Sequence, residues 1–184
     1  MLPRAADVKL KRIAVSTRKK KEGAVTTREV KMYRKILVPM DGSKLAECVV
    51  EHVKSIATGC QVPTVVLLRV VEPIGPPGYL PRGVAEDTYR DARETAEIQA
   101  KDYLNGMAER LKAEGIAVET DIAVGLPADE ILDYAAQNRV DLIVMSTHGR
   151  SGISRWWSGS VAEKVVSQSL IPVLIVTPPG CRVK

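Results

Sequence analysis

Five short strand-like runs, each separated from the next by a stretch with helical spacing, constrain this chain more than any other feature. The runs are KILVP at 35–39, TVVLLRVV at 64–71, AVETDIA at 117–123, DLIVM at 141–145 and PVLIV at 172–176. Most are apolar almost throughout, which suits strands buried on both faces of a parallel sheet. Between them, apolar residues recur at helical spacing. Ala46, Val49, Val50, Val53 and Ala57 form the first stripe, and Ala96, Ala100, Tyr103, Leu104, Met107 and Leu111 the second. Ala128, Ile131, Leu132, Ala135 and Ala136 form the third, and Val161, Val165 and Val166 the fourth. The second helix is expected over 87–114, with Gly115 placed to end it. Alternation of this kind, with right-handed crossovers, predicts an open α/β sheet of five parallel strands with helices on both faces.

The 184 residues suffice for one domain with a proper core, and an apolar fraction of 45% needs no disulfide or metal to support it. There is no Phe, so Val, Ile, Leu and Ala must fill the interior. No apolar run reaches the roughly 18 residues of a membrane span. The N-terminus carries no apolar signal-peptide core, which argues against secretion. Cys48, Cys60 and Cys181 are odd in number and lie at no metal-ligand spacing with His52 or His148. A reduced, cytoplasmic setting with ordinary thiols follows as the expectation.

The net charge of +5 is unevenly placed. Residues 1–35 hold twelve Lys/Arg against three Asp/Glu, leaving fifteen against nineteen for the rest. The basic balance therefore belongs to an N-terminal arm, residues 1–32, with no sustained period and a cluster RKKK at 18–21. That arm reads either as a solvated tail or, through 1–31, as a contact for nucleic acid or anionic lipid by counterion release. Met32 offers a second initiation point just before the first strand. The domain proper is expected over 33–178, with a short tail at 179–184.

The run STHGRSGISRWWSGS at 146–160 leaves the fourth strand through three glycines and six hydroxyl residues. Glycine lets backbone approach a ligand closely, and hydroxyls and free amides are what a phosphate requires. Gly149 would let the chain bend near a polyphosphate. Gly159 and Ser160 would open the fourth helix, where free amides and the positive dipole end favour anions. Ser160 has a second reading as a simple N-cap, and Asp41 one as the cap of the first helix. In sheets of this type ligands bind beyond the carboxyl ends of the strands, where the winding reverses. PMDGS at 39–43 and the glycine-rich run would share one crevice if strands one and four are neighbours. The pattern is neither a Walker loop nor Gly-x-Gly-x-x-Gly.

YRKILVPMDGS at 33–43, DLIVMSTHGR at 141–150 and GSVAEKV at 159–165 followed by PVLIV together resemble the universal stress protein family, over 32–178. The resemblance implies strand order 3-2-1-4-5. The ATP-binding branch carries Gly-x2-Gly-x9-Gly-Ser/Thr; Gly149, Gly159 and Ser160 match it, and Ser146 stands where the first glycine would be. It further implies that Pro39, Met40 and Asp41 meet adenine and ribose, and that Val70 offers backbone to the adenine edge. Ser146, His148, Gly149, Gly159, Ser160 and Val161 would line the phosphates, with Mg²⁺ or Mn²⁺ reaching the protein through the phosphates and the Ser160 hydroxyl. A homodimer through the fifth strand, Val173–Val176, is implied as well. His148 has no visible nucleophile or carboxylate partner, so no general base for efficient hydrolysis is evident, and no residues suggest the second substrate site of an adenylating enzyme. Trp156 and Trp157 cannot both face inward and suit a cleft cover or the surface for a protein partner. The expected function is an ATP-binding stress-response regulator; the alternative is a dimeric interaction module that binds no nucleotide because of Ser146.

Overall fold

The computed structural model describes residues 32–73, 86–147 and 161–178. The β-branched and aliphatic runs form β1 (Lys35–Pro39), β2 (Thr64–Val71), β3 (Val118–Val124), β4 (Leu142–Ser146) and β5 (Val173–Val176). The helical stretches form α1 (Val50–Gly59), α2 (Glu86–Ala113), α3 (Pro127–Gln137) and α4 (Val161–Gln168). All strand pairs are parallel, and the order is β3-β2-β1-β4-β5. The expected sheet and its reversal point between β1 and β4 are therefore present.

Strand alternation divides the interior in two. Ile36, Val38, Val65, Leu67 and Val144 pack with Val49, Val53, Leu104, Met107 and Leu111, on the α1/α2 face. Leu37, Val66, Leu68, Ile143 and Met145 pack with Ala128, Ile131, Ala135, Ala162 and Val165, on the α3/α4 face. Ile36, Leu37, Val65, Val66, Leu68 and Ile143 have no solvent exposure. Burying each such side chain is worth about 1.5–3 kcal/mol, so the three central strands anchor whatever their ends carry.

Local signals set the boundaries. Pro127 occupies the first turn of α3, where its missing N–H costs nothing. Gly115 takes φ +82° after α2, and the Ile116 N–H returns to the Leu111 carbonyl at 3.2 Å. The first helix does not begin as one α-helix: a 3₁₀ turn, Ala46–Val49, leads into α1. Two stripes also differ from expectation. Ala136 is exposed, and α4 buries Ala162 and Val165 while Val161 and Val166 face solvent. Ala162 and Val165 lie three residues apart on the inward stripe, and the adjacent positions turn outward. No helix among the described residues is long and apolar enough to cross a membrane.

Candidate functional site

The site begins with a difference between the two flanks of β1. On the β2 side the register runs from Lys35↔Thr64 through Pro39↔Leu68, and the Met40 N–H extends it to the Leu68 carbonyl at 2.8 Å. On the β4 side it holds at Ile36↔Leu142 and Leu37↔Ile143. Backbone alternation explains the stop. The Lys35 carbonyl accepts the Asp141 N–H at 2.9 Å, so odd-numbered residues of β1 turn their backbone toward β4. The next donor on that side would be residue 39, a proline, which has none. The strands thus lose their ladder toward the carboxyl ends, at the reversal point where α/β sheets hold ligands.

Three backbones border the resulting crevice. The Leu68 carbonyl points toward β1, and Val70, two residues on, presents its backbone to the same side beyond the point where β1 has turned away. On its other neighbour, β2 stays paired with β3 through Val70↔Ala123 and Val71↔Val124. Across the crevice, the Ile143 N–H goes to the Pro172 carbonyl and the Thr147 N–H to the Val176 carbonyl, both at 3.0 Å and both toward β5. Ser146 therefore turns its backbone toward β1. In the middle stand Pro39, Met40 and Asp41.

Asp41 is held rather than splayed. Its Oδ1 accepts the Ser43 N–H at 2.9 Å, and the Ser43 hydroxyl accepts the Ala46 N–H at 3.1 Å, where the 3₁₀ turn starts. The expected capping by Asp41 is thus one step removed: Asp41 fixes the turn, and Ser43 caps it. Gly42 takes φ +80°, and a Cβ there would lie 3.0 Å from Arg69 Nη1. Arg69 Nη1 also donates to the Met40 carbonyl at 3.3 Å. Met40 is buried in the α1/α2 cluster, and Val70 packs against the other.

Ser146 is the last residue of β4, buried, and in register with Val176. Its strand conformation makes no demand for a positive φ, so a serine costs the backbone nothing there; only its small side chain distinguishes it from glycine. Val161 is the first residue of α4 and is 38% exposed. His148, Gly149, Gly159 and Ser160 lie outside the described residues, as do Trp156, Trp157 and the arm 1–31. Pro39, Met40, Asp41, Val70 and Ser146 are brought to one end of the sheet. His52 is exposed on α1 and stands apart from them. Among the described residues no three His, Cys, Asp or Glu side chains could hold a metal ion.

Two contributors escaped the sequence reading. Arg69 lies inside an apolar strand, and a lone arginine in TVVLLRVV beside Val70 is itself a signal. Tyr103 belongs to the apolar stripe by spacing, yet its hydroxyl is buried without a hydrogen-bond partner among the described residues. Burial first, then the carboxylates of Glu47 and Asp41, push this phenol up to about 12. Tyr103 therefore stays neutral, and it borders the same polar corner as Asp41 and Arg69.

This geometry has relatives. The model of the universal stress protein family matches residues 32–177. The universal stress protein MJ0577 of Methanocaldococcus jannaschii is 32% identical over 157 residues, covering 79% of this chain and 95% of its own. Its solved structure matches with a TM-score of 0.69, over 81% of this chain and 99% of that one. MJ0531 of the same organism is 31% identical over 150 residues, 80% of this chain and 84% of its own. A universal stress protein solved in complex with cAMP, at 24% identity, shares the fold with a TM-score of 0.57, over 79% of this chain and 98% of that one. Strand order, reversal point and matched length agree, and the chain belongs to the universal stress protein family.

Proposed function

We propose that this protein binds ATP, together with Mg²⁺ or Mn²⁺, in the crevice between β1 and β4, and acts as a cytoplasmic stress-response regulator through nucleotide-dependent conformation or partner binding. The observation that carries the reading is the loss of the β1–β4 ladder at Pro39, with the Val70 and Ser146 backbones both directed toward the β1 side, whose end carries a held Asp41 carboxylate. A flat base suits backbone edges, and vicinal ribose hydroxyls suit a fixed carboxylate. The triphosphate would run toward His148, Gly149, Gly159, Ser160 and Val161, where α4 directs its positive end. A bound triphosphate would supply the ligands its divalent ion needs. A family member of this fold holds cAMP in its solved structure, so an adenine nucleotide is compatible with the architecture.

The domain 33–178 would work as a homodimer. β5 ends the sheet order, and Val166 and Leu170 beside it are 50% and 101% exposed. An unpaired edge flanked by apolar side chains suits a twofold mate pairing along Val173–Val176. A second reading, a dimeric interaction module without nucleotide, draws on the side chain that Ser146 adds at the crevice. The ordinary strand conformation of Ser146 favours the first reading.

The test is mass spectrometry of small molecules released from the purified protein, followed by titration calorimetry with ATP and Mg²⁺. Co-purified or saturably bound ATP, lost in Gly159→Val, is expected. If neither appears and Ser146→Gly creates binding, the interaction-module reading replaces this one.

A further inference from the structure

Arg69 makes two contacts on either side of Asp41. Its Nη1 donates to the carbonyl of Met40 at 3.3 Å. Its guanidinium also lies against the Cα of Gly42, with Nη1, Cζ and Nη2 at 3.0, 3.5 and 3.6 Å from where a Cβ would stand. The residue between is thus bracketed by one rigid planar group, while the Ser43 N–H holds its carboxylate at 2.9 Å. Arg69 itself is anchored in β2, paired with Ile122 of β3. A guanidinium suits this task because its fork is planar and permanently charged. The space it fills is available only because residue 42 has no side chain.

From this bracket we infer that Arg69 is the positioning residue for Asp41, and that it sets how strongly the crevice distinguishes a ribonucleotide from a deoxynucleotide. The inference rests on the nucleotide reading above. Arg69 acts through Asp41: it holds the turn in which the carboxylate can meet two vicinal hydroxyls. Removing the arginine lets the Met40–Gly42 turn relax, and the carboxylate no longer meets both hydroxyls.

The experiment compares ATP with 2′,3′-dideoxy-ATP by calorimetry in the parent, Arg69→Ala, Asp41→Ala and the double variant. Hydrogen bonds from hydroxyls to a carboxylate are worth about tenfold each in affinity, so the parent should prefer ATP by at least about tenfold. Arg69→Ala should lose most of that preference, and the double variant should lose no more than Asp41→Ala. Arg69→Lys keeps the charge and one donor but not the flat fork, so it should fall between; it also serves if Arg69→Ala does not fold. An unchanged preference in Arg69→Ala, whether or not overall affinity drops, overturns the assignment. Amide hydrogen exchange at Ser43, measured without nucleotide, separates the two readings. If the parent binds no nucleotide, the nucleotide reading fails and the discrimination with it. The positioning role then stands on at least tenfold faster Ser43 exchange in Arg69→Ala, and falls if that exchange is unchanged.

Discussion

The two flanks of β1 are made from one five-residue strand, yet one is closed and the other opens. Toward β2 the register covers every residue of the strand, and the Met40 N–H prolongs it. Toward β4 it covers Ile36 and Leu37 alone. Hydrophobicity does not separate the flanks, because Leu68 and Ile143 are equally without exposure. What separates them is a single missing donor at Pro39 on one side and a bracing arginine on the other. Binding crevices in parallel sheets can thus arise from the backbone ladder while the cores above and below remain close-packed.

The sharpest way to break the closed flank is Gly42→Ala. The residue would have to keep φ +80° with a Cβ 3.0 Å from Arg69 Nη1. The left-handed backbone costs about 1–2 kcal/mol, and displacing the guanidinium adds to it, for a total of about 2–3 kcal/mol. Urea unfolding should show this as a lower midpoint with an unchanged slope. A loss below about 0.5 kcal/mol would mean that the turn is free to rearrange.

The same contrast marks what the sequence made legible. The five strands, their order and the stripes of α1 and α2 followed from periodicity and the family pattern, because burial on two faces leaves little freedom in residue choice. Ala136, Val161 and Val166 face solvent rather than the core, because Ala and Val are compatible with both sides of a short helix. PMDGS at 39–43 was legible as a site, but its internal wiring was not. That Ser43 rather than Asp41 caps the 3₁₀ turn depends on local hydrogen bonds around a positive φ at Gly42, and that Arg69 fills the space over Gly42 depends on a contact across two strands; residue types alone reveal neither. Ser146 read as a departure from a glycine pattern; only its strand conformation shows that the departure costs no backbone strain.

Two tyrosines sharpen the comparison between the faces. Tyr103 on the α1/α2 side is raised to about 12, first by burial and then by Glu47 and Asp41. Tyr134 on the α3/α4 side is also raised to about 12, first by burial and then by the nearby Asp121 carboxylate. Both phenols are neutral in the folded and unfolded chain below pH 10.0; above it the unfolded chain ionises first, so stability is full below that value and falls as pH rises toward 12. The shift alone would be worth up to about 3 kcal/mol per ring, and partial solvation reduces this to about 1 kcal/mol each. Tyr103→Phe removes a buried hydroxyl without a partner among the described residues, so it should stabilise the domain by up to about 1 kcal/mol at neutral pH. Tyr134→Phe removes a hydroxyl that is only partly buried beside Asp121 and should change stability by less. Thermal melts from pH 7 to 12 check both, and equal effects of the two substitutions would contradict the asymmetry.

The open flank is probed by the smallest effect. Pro39→Ala restores an N–H directed toward β4, where the Val144 carbonyl is the next acceptor in the parallel pattern. The new bond contributes about 1 kcal/mol, and the added freedom of the unfolded chain takes back about 0.4–1 kcal/mol. Stability should therefore change by no more than about 0.5 kcal/mol. The ladder, however, should advance by one rung into the crevice. Hydrogen exchange should then show a protected amide at position 39, and ATP affinity should fall several-fold. An alanine amide that exchanges freely, with ATP affinity unchanged, would mean that β4 is held apart by the chain beyond Ser146 rather than by the proline. The origin of the crevice would then move from the missing donor in β1 to the segment between β4 and α4.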